Sequence, residues 1–118
     1  MAATFNSPVQ LLVLQAAITD AATNDYDVVL SRALTVLHAT IIKGTTNAAA
    51  ANTVQLQTTA GAAVSNLIDG NINAGILVRA GVIDDLSSTF VSGAALRIHV
   101  MKAGGDAGYV VNTYCIPA

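Results

Sequence analysis

Turn-forming residues cut this chain into short pieces at near-regular intervals. That punctuation limits the fold more than any other feature. Thr23-Asn24-Asp25, Lys43-Gly44, the stretch from Asn47 to Asn52, Ala60-Gly61, Asp69-Gly70-Asn71, Gly81, Gly93, and Gly104-Gly105-Asp106 with Gly108 each end an apolar run. The runs between them are rich in Val, Ile and Thr, and several alternate. Short β-branched runs at this spacing predict an all-β sandwich or barrel. The chain has 118 residues, enough for one domain and not for two of ordinary size. A domain of this length buries roughly two-thirds of the surface its unfolded chain exposes, so it needs no disulfide framework to fold.

Two runs alternate cleanly. In Thr53–Thr59, Val54, Leu56 and Thr58 point one way, and Thr53, Gln55, Gln57 and Thr59 the other. In Ala95–Lys102, Leu96, Ile98 and Val100 form one face, and Arg97, His99 and Met101 the other. A period of two places one face on a core and leaves the other for water or a partner. Three further runs are apolar on both faces: Val9–Ile18, Leu34–Lys43 and Tyr109–Ile116. Uninterrupted alternation in Leu34–Lys43 would put Leu34, Val36, His38, Thr40 and Ile42 on one face. Leu37, Ala39 and Ile41 would then share the other. An open sandwich leaves each strand one wet face, so these runs predict that some second faces are covered. A helix over Ser7–Ala17 is the competing reading at the N-terminal end. Ser7 would cap it, Pro8 would sit in its first turn, and Leu11, Leu14 and Ile18 would form its stripe. Gly104–Gly108 reads as a hairpin turn between the last two strands, and Ala48–Ala51 as a loop tip.

Composition sharpens the expectation of a covered face. Apolar residues make up 53% of the chain and charged residues only 10%, where soluble domains carry about 25% charged residues. This excludes disorder, which needs high charge and low hydrophobicity. With 5 Lys plus Arg and a net charge of -2, the chain lacks the basic surface of a nucleic-acid binder. Free monomers rarely expose large apolar patches, whereas permanent assemblies bury them. The expectation is an obligate oligomer or a subunit seated on a larger particle. No Lys or Arg precedes Arg32, so the apolar run near the N-terminus lacks the positive flank of a signal peptide. That run also falls short of the ~20 residues of a membrane helix. The chain is expected to be made in a cytoplasm and not to engage a membrane.

No catalytic or metal-binding motif stands out. All 7 acidic residues are Asp, and none falls in the spacing of a calcium loop. They read as turn residues and edge charges that keep a sheet soluble. His38 and His99 each lie mid-strand, outside any HxH or HExxH spacing, and read as half-buried or interface polar residues. Cys115 reads as a small buried residue of the last strand. Gly104–Gly108 lacks the Lys-Ser/Thr and the helix of a phosphate loop. Aromatic residues are 4% of the chain with no Trp, which argues against stacking platforms for bases or sugars. No cofactor is expected.

From Asp25 onward, over about three-quarters of the chain, the pattern resembles the capsid decoration (cement) and related head structural proteins of tailed bacteriophages. The residues carrying the resemblance are Tyr26-Asp27-Val28-Val29-Leu30 followed by Leu34-Thr35-Val36, then Asn52-Thr53-Val54-Gln55-Leu56. Val78-Arg79-Ala80-Gly81-Val82-Ile83-Asp84-Asp85 and Gly93-Ala94-Ala95-Leu96-Arg97-Ile98 follow, with a Gly/Ala turn and a terminal strand. The resemblance implies a single-domain antiparallel β-sandwich, jelly-roll-like, spanning residues 9–118. It implies a non-enzymatic virion protein, a homotrimer that binds the outer surface of an icosahedral shell and stabilises it. The partners implied are the major capsid protein and further copies of this chain, with no nucleic acid and no membrane. Residues 1–8 then read as an N-terminal arm that orders on the shell or on a neighbouring subunit, with Phe5 and Pro8 as its contact residues. The alternative is a head-fibre or adhesin-like module that recognises host-surface glycans.

Overall fold

The computed structural model describes residues 10–19, 23–44, 51–103 and 108–118. The proposed arm, with Phe5 and Pro8, lies outside the described residues, as do most of the Ala48–Ala51 tip and of the Gly104–Gly108 turn. The described chain is built from strands alone: β1 (Leu12–Ile18), β2 (Asn24–Val29), β3 (Leu34–Lys43), β4 (Thr53–Thr58), β5 (Ile68–Asp69), β6 (Leu77–Arg79), β7 (Thr89–Phe90), β8 (Ala95–Met101) and β9 (Tyr109–Pro117). They form two antiparallel sheets, so the all-β sandwich expected from the turn spacing is the observed architecture.

The first sheet has the order β1-β9-β3-β6, with β7 also paired to β3; the second has the order β2-β8-β4-β5. β6 and β7 pair with opposite ends of β3 and together act as one interrupted strand. Among the described strands, every sequential connection changes sheet except β4 to β5 and β6 to β7. This weave is the jelly-roll arrangement, which buries both inner faces in one core. Ile18, Leu34, Val36, Ala39, Ile41 and Val111 line it from the first sheet. Val54, Leu56, Leu96, Ile98 and Val100 line it from the second, on the faces that alternation predicts.

One competing reading is decided and two expectations are corrected. Leu12–Ile18 is a strand, not part of a helix. Its pairing with β9 from Leu12↔Cys115 to Ile18↔Tyr109 satisfies its backbone, and its inner residues reach the core. An isolated amphipathic turn offers neither. The last two strands do not form a hairpin, because β8 lies in the second sheet and β9 in the first. Finally, β3 does not alternate without interruption. Its register with β9 slips between Val36 and His38, leaving Leu37 as a bulge residue. Past the bulge the phase inverts. Leu34, Val36, Ala39, Ile41 and Lys43 face inward, and His38, Thr40 and Ile42 face outward.

One end of the sandwich is closed by Tyr109 and Lys43, which are register partners. The Tyr109 hydroxyl donates to the Gly70 carbonyl at 2.7 Å. The Lys43 ammonium lies 5.1 Å from the Tyr109 ring centroid and donates to the Gly108 carbonyl at 3.3 Å. A lysine so deeply buried is tolerated because its charge meets a ring face and a carbonyl dipole.

Candidate functional site

The two outer faces of the sandwich differ in kind. On the second sheet, register sets Asp25 beside His99 and Asp27 beside Arg97, with Gln55 and Gln57 on the far side of β8. Arg97 grips Asp27 with two hydrogen bonds, Nε to Oδ1 at 2.8 Å and Nη2 to Oδ2 at 3.2 Å. Its third nitrogen reaches Asp25 at 3.5 Å and the Thr59 carbonyl at 3.3 Å. These bonds hold the Asp27 carboxyl below the usual carboxylate range and raise Arg97. His99 Nδ1 closes the cluster on Asp25. Both aspartates lie on β2, an edge strand of this sheet. The expected role of edge charges is therefore what the structure places there, and a charged edge resists pairing with other strands.

The outer face of the first sheet carries almost no charge. Its rows follow from register. One is Ala17, Val110, Ile42 and Leu77, and the next is Gln15, Asn112, Thr40 and Arg79. The third is Val13, Tyr114 and His38, with the bulge residue Leu37 close by. Leu11, Val13, Leu37 and Leu77 are each about half exposed, at 57%, 50%, 48% and 45%. The three runs that are apolar on both sides in sequence are thus β1, β9 and β3, and they are consecutive in this sheet. What reads as three separate oddities along the chain becomes one continuous surface.

Within that surface β3, β6 and β9 border an open, shallow hollow of about 250 Å³ lined by His38, Thr40, Leu77, Arg79 and Tyr114. His38 and Tyr114 stack with ring centroids 5.9 Å apart. Thr40 is only 4% exposed, and its Oγ1 finds no hydrogen-bond partner among the described residues. A hydroxyl left so costs roughly 1–3 kcal/mol. The Arg79 guanidinium has no ionic or hydrogen-bond partner among the described residues. A cation, an imidazole, a phenol and an unmet hydroxyl around one hollow suit an oxygen-rich anion such as a carboxylate.

A second feature lies on the stretch joining β6 to β7. Asn66 Oδ1 accepts from the backbone N–H of Gly81 at 2.8 Å and of Val82 at 3.1 Å. The Asp84 N–H donates to the Val64 carbonyl at 2.8 Å, and Asp84 Oδ1 accepts from the Leu86 N–H at 2.9 Å. This pinned turn holds out Leu86, which is 96% exposed, next to the Asp85 carboxylate.

Of the residues singled out in sequence, His38 belongs to the hollow and His99 to the ionic cluster, each mid-strand as expected. Cys115 is fully buried, and burial pushes its thiol up to about 11, so it is unreactive at neutral pH. Asp69 and Asp84 cap turns, as their spacing suggested. Sequence reading missed Thr40, Arg79 and Tyr114 as one group. The one available signal was a pair of polar residues, His38 and Thr40, inside an otherwise apolar run. Among the described residues no cluster of three or more His, Cys, Asp or Glu is placed to hold a metal ion. Comparison of the chain with protein-family models, with curated proteins and with solved structures gives no match.

Proposed function

We propose that this protein is a structural subunit of a phage virion: a decoration, or cement, protein that assembles on the outer surface of an icosahedral capsid. In this reading it acts as a homotrimer, binds the major capsid protein and performs no catalysis. The observation that supports it is the outer face of the β1-β9-β3-β6 sheet, where apolar rows flank one polar row that ends in Arg79, set against a second outer face that carries the Asp25, Asp27, Arg97 and His99 cluster. A small domain that exposes Leu11, Val13, Leu37 and Leu77 on a sheet face with little charge gains from having that face covered. The jelly-roll fold is compatible with this role, although fold alone assigns none. A shell under internal pressure gains from many copies that each bridge neighbouring capsomers, because modest interface areas add up over the particle.

The test is physical association with particles. Virions from the virus that encodes this chain are banded by density and their proteins quantified by mass spectrometry. The expected result is this chain at a fixed, high copy ratio to the major capsid protein, released before the shell itself dissociates. Absence from banded particles would sink the proposal. A glycan array probed with the purified protein addresses the adhesin alternative, and no binding is expected there.

A further inference from the structure

We propose that the hollow formed by His38, Thr40, Arg79 and Tyr114 is a carboxylate-binding socket, and that Asp85 of a second copy of this chain fills it. The inference rests on the reading of this protein as an assembling subunit and specifies how its copies join. The socket side stands on two independent observations. Arg79 has no ionic partner among the described residues. Thr40, more than nine-tenths buried, lines the same hollow with an Oγ1 that no group among the described residues satisfies. An incoming carboxylate takes charge-assisted bonds from Arg79 and Tyr114 and gives the polar floor around Thr40 an acceptor.

The choice of Asp85 follows from complementarity in both charge and shape. Asp85 is exposed, and its carboxylate has no partner among the described residues. Beside it Leu86 projects almost wholly into solvent. The turn that carries both is pinned by four hydrogen bonds, from Gly81, Val82, Asp84 and Leu86. A rigid apolar-acidic knob loses little freedom on docking. The socket offers the matching pair, with Arg79 for the carboxylate and Leu77 for the leucine. Knob and socket occupy different surfaces of the subunit, the one a turn between β6 and β7, the other the outer face of the first sheet. The contact joins two different patches, so it closes either as a reciprocal two-fold pair or, head to tail, as a ring when the rotation between copies permits.

Charge exchange tests it. Wild type, Arg79→Glu, Asp85→Lys and the double variant are compared by light scattering across a dilution series, with chemical unfolding midpoints measured alongside. Both residues are exposed, so all four proteins are expected to fold. Each single reversal is expected to weaken association by about 30-fold or more, and the double variant to recover most of that loss. If either single variant fails to fold, the neutral pair Arg79→Gln and Asp85→Asn replaces it. In that pair each single change weakens association, and the double costs no more than the larger single effect. Unchanged assembly in the single variants would overturn the proposal, as would a double variant that recovers nothing. A wild-type chain that is monomeric throughout the series would overturn it too. Virion association is scored separately by banding, so loss of this contact and loss of the capsid reading remain distinguishable.

Discussion

At the scale of single residues, the most tightly packed of the described glycines is Gly70. A Cβ built there would lie 2.5 Å from the Tyr109 hydroxyl, 2.9 Å from its Cζ and 3.0 Å from the Asn52 carbonyl oxygen. The strand end at β5 and the ring that plugs the sandwich meet at a distance only glycine permits. Gly70→Ala is expected to cost about 1–3 kcal/mol in chemical unfolding, because the ring or the backbone must move. Tyr109→Phe, which deletes the 2.7 Å bond to the Gly70 carbonyl, is expected to cost about 1 kcal/mol. It should not rescue Gly70→Ala, because the clashes with Cζ and the Asn52 carbonyl remain. The ionic cluster on the second sheet supplies a prediction in pH. Arg97 holds the folded Asp27 carboxyl below its ordinary value, through hydrogen bonding first. A depressed carboxyl contributes stability that is fully present above its unfolded value of about 3.9 and is lost as pH falls through the lower folded value. Asp27→Asn should therefore flatten the acid limb of the stability curve below about pH 4 and leave the thiol titration of Cys115 unchanged. Unfolding midpoints taken at a series of pH values measure this, and the same acid limb in wild type and variant would refute it.

At the scale of elements, the Leu37 bulge decides what the first sheet shows to the outside. The residues of β3 before and after it are each in phase with β9, at Val36↔Cys115 and His38↔Tyr114. Deleting Leu37 would join two segments that already agree in phase. That deletion is expected to fold and to shift stability by about 1 kcal/mol or less. Deleting Ala39 instead would turn Ile41 and Lys43 outward and bring Thr40 and Ile42 in, the one-residue slip that reverses every side chain beyond it. A thermal melt of the two deletion variants distinguishes them: cooperative for the first, lost or strongly lowered for the second. The bulge also marks how far the sequence can be read. Alternation in Thr53–Thr59 and Ala95–Lys102 assigns faces correctly, because those strands pair with their neighbours without a slip. In Leu34–Lys43 both faces are apolar, so nothing local distinguishes the two phases, and only pairing with β9 fixes where the extra residue sits. Gly104–Gly108 misleads for a related reason. A glycine-rich turn fits a hairpin and a sheet-to-sheet crossover equally, and the choice is made by partners far away in the chain.

At the scale of the molecule, the excess of apolar residues in the chain becomes a statement about one surface. Two-sided apolar strands are legible in sequence, but their adjacency is not, because β1, β9 and β3 are brought together by pairings between the two ends of the chain. The socket shares that fate. His38 and Thr40 come from β3, Arg79 from β6 and Tyr114 from β9, and no spacing along the chain announces the group. If the first sheet is the covered face, polar substitution there must act on assembly and not on folding. Val13 and Tyr114 are register partners on that face, and Val13 is half exposed. Val13→Lys is expected to leave the unfolding midpoint within the ±0.5 kcal/mol usual for surface changes while lowering the mass measured by light scattering toward that of a single 12.0 kDa chain. Thr53→Lys, on the outer face of the second sheet beside Met101, places the same charge on the opposite side and is expected to leave the mass unchanged. The comparison separates a directional surface from general stickiness. An aggregating hydrophobic protein would respond to added charge on either face, whereas a subunit with one dry side responds to only one. Equal responses to the two substitutions would remove the asymmetry on which the assembly reading rests.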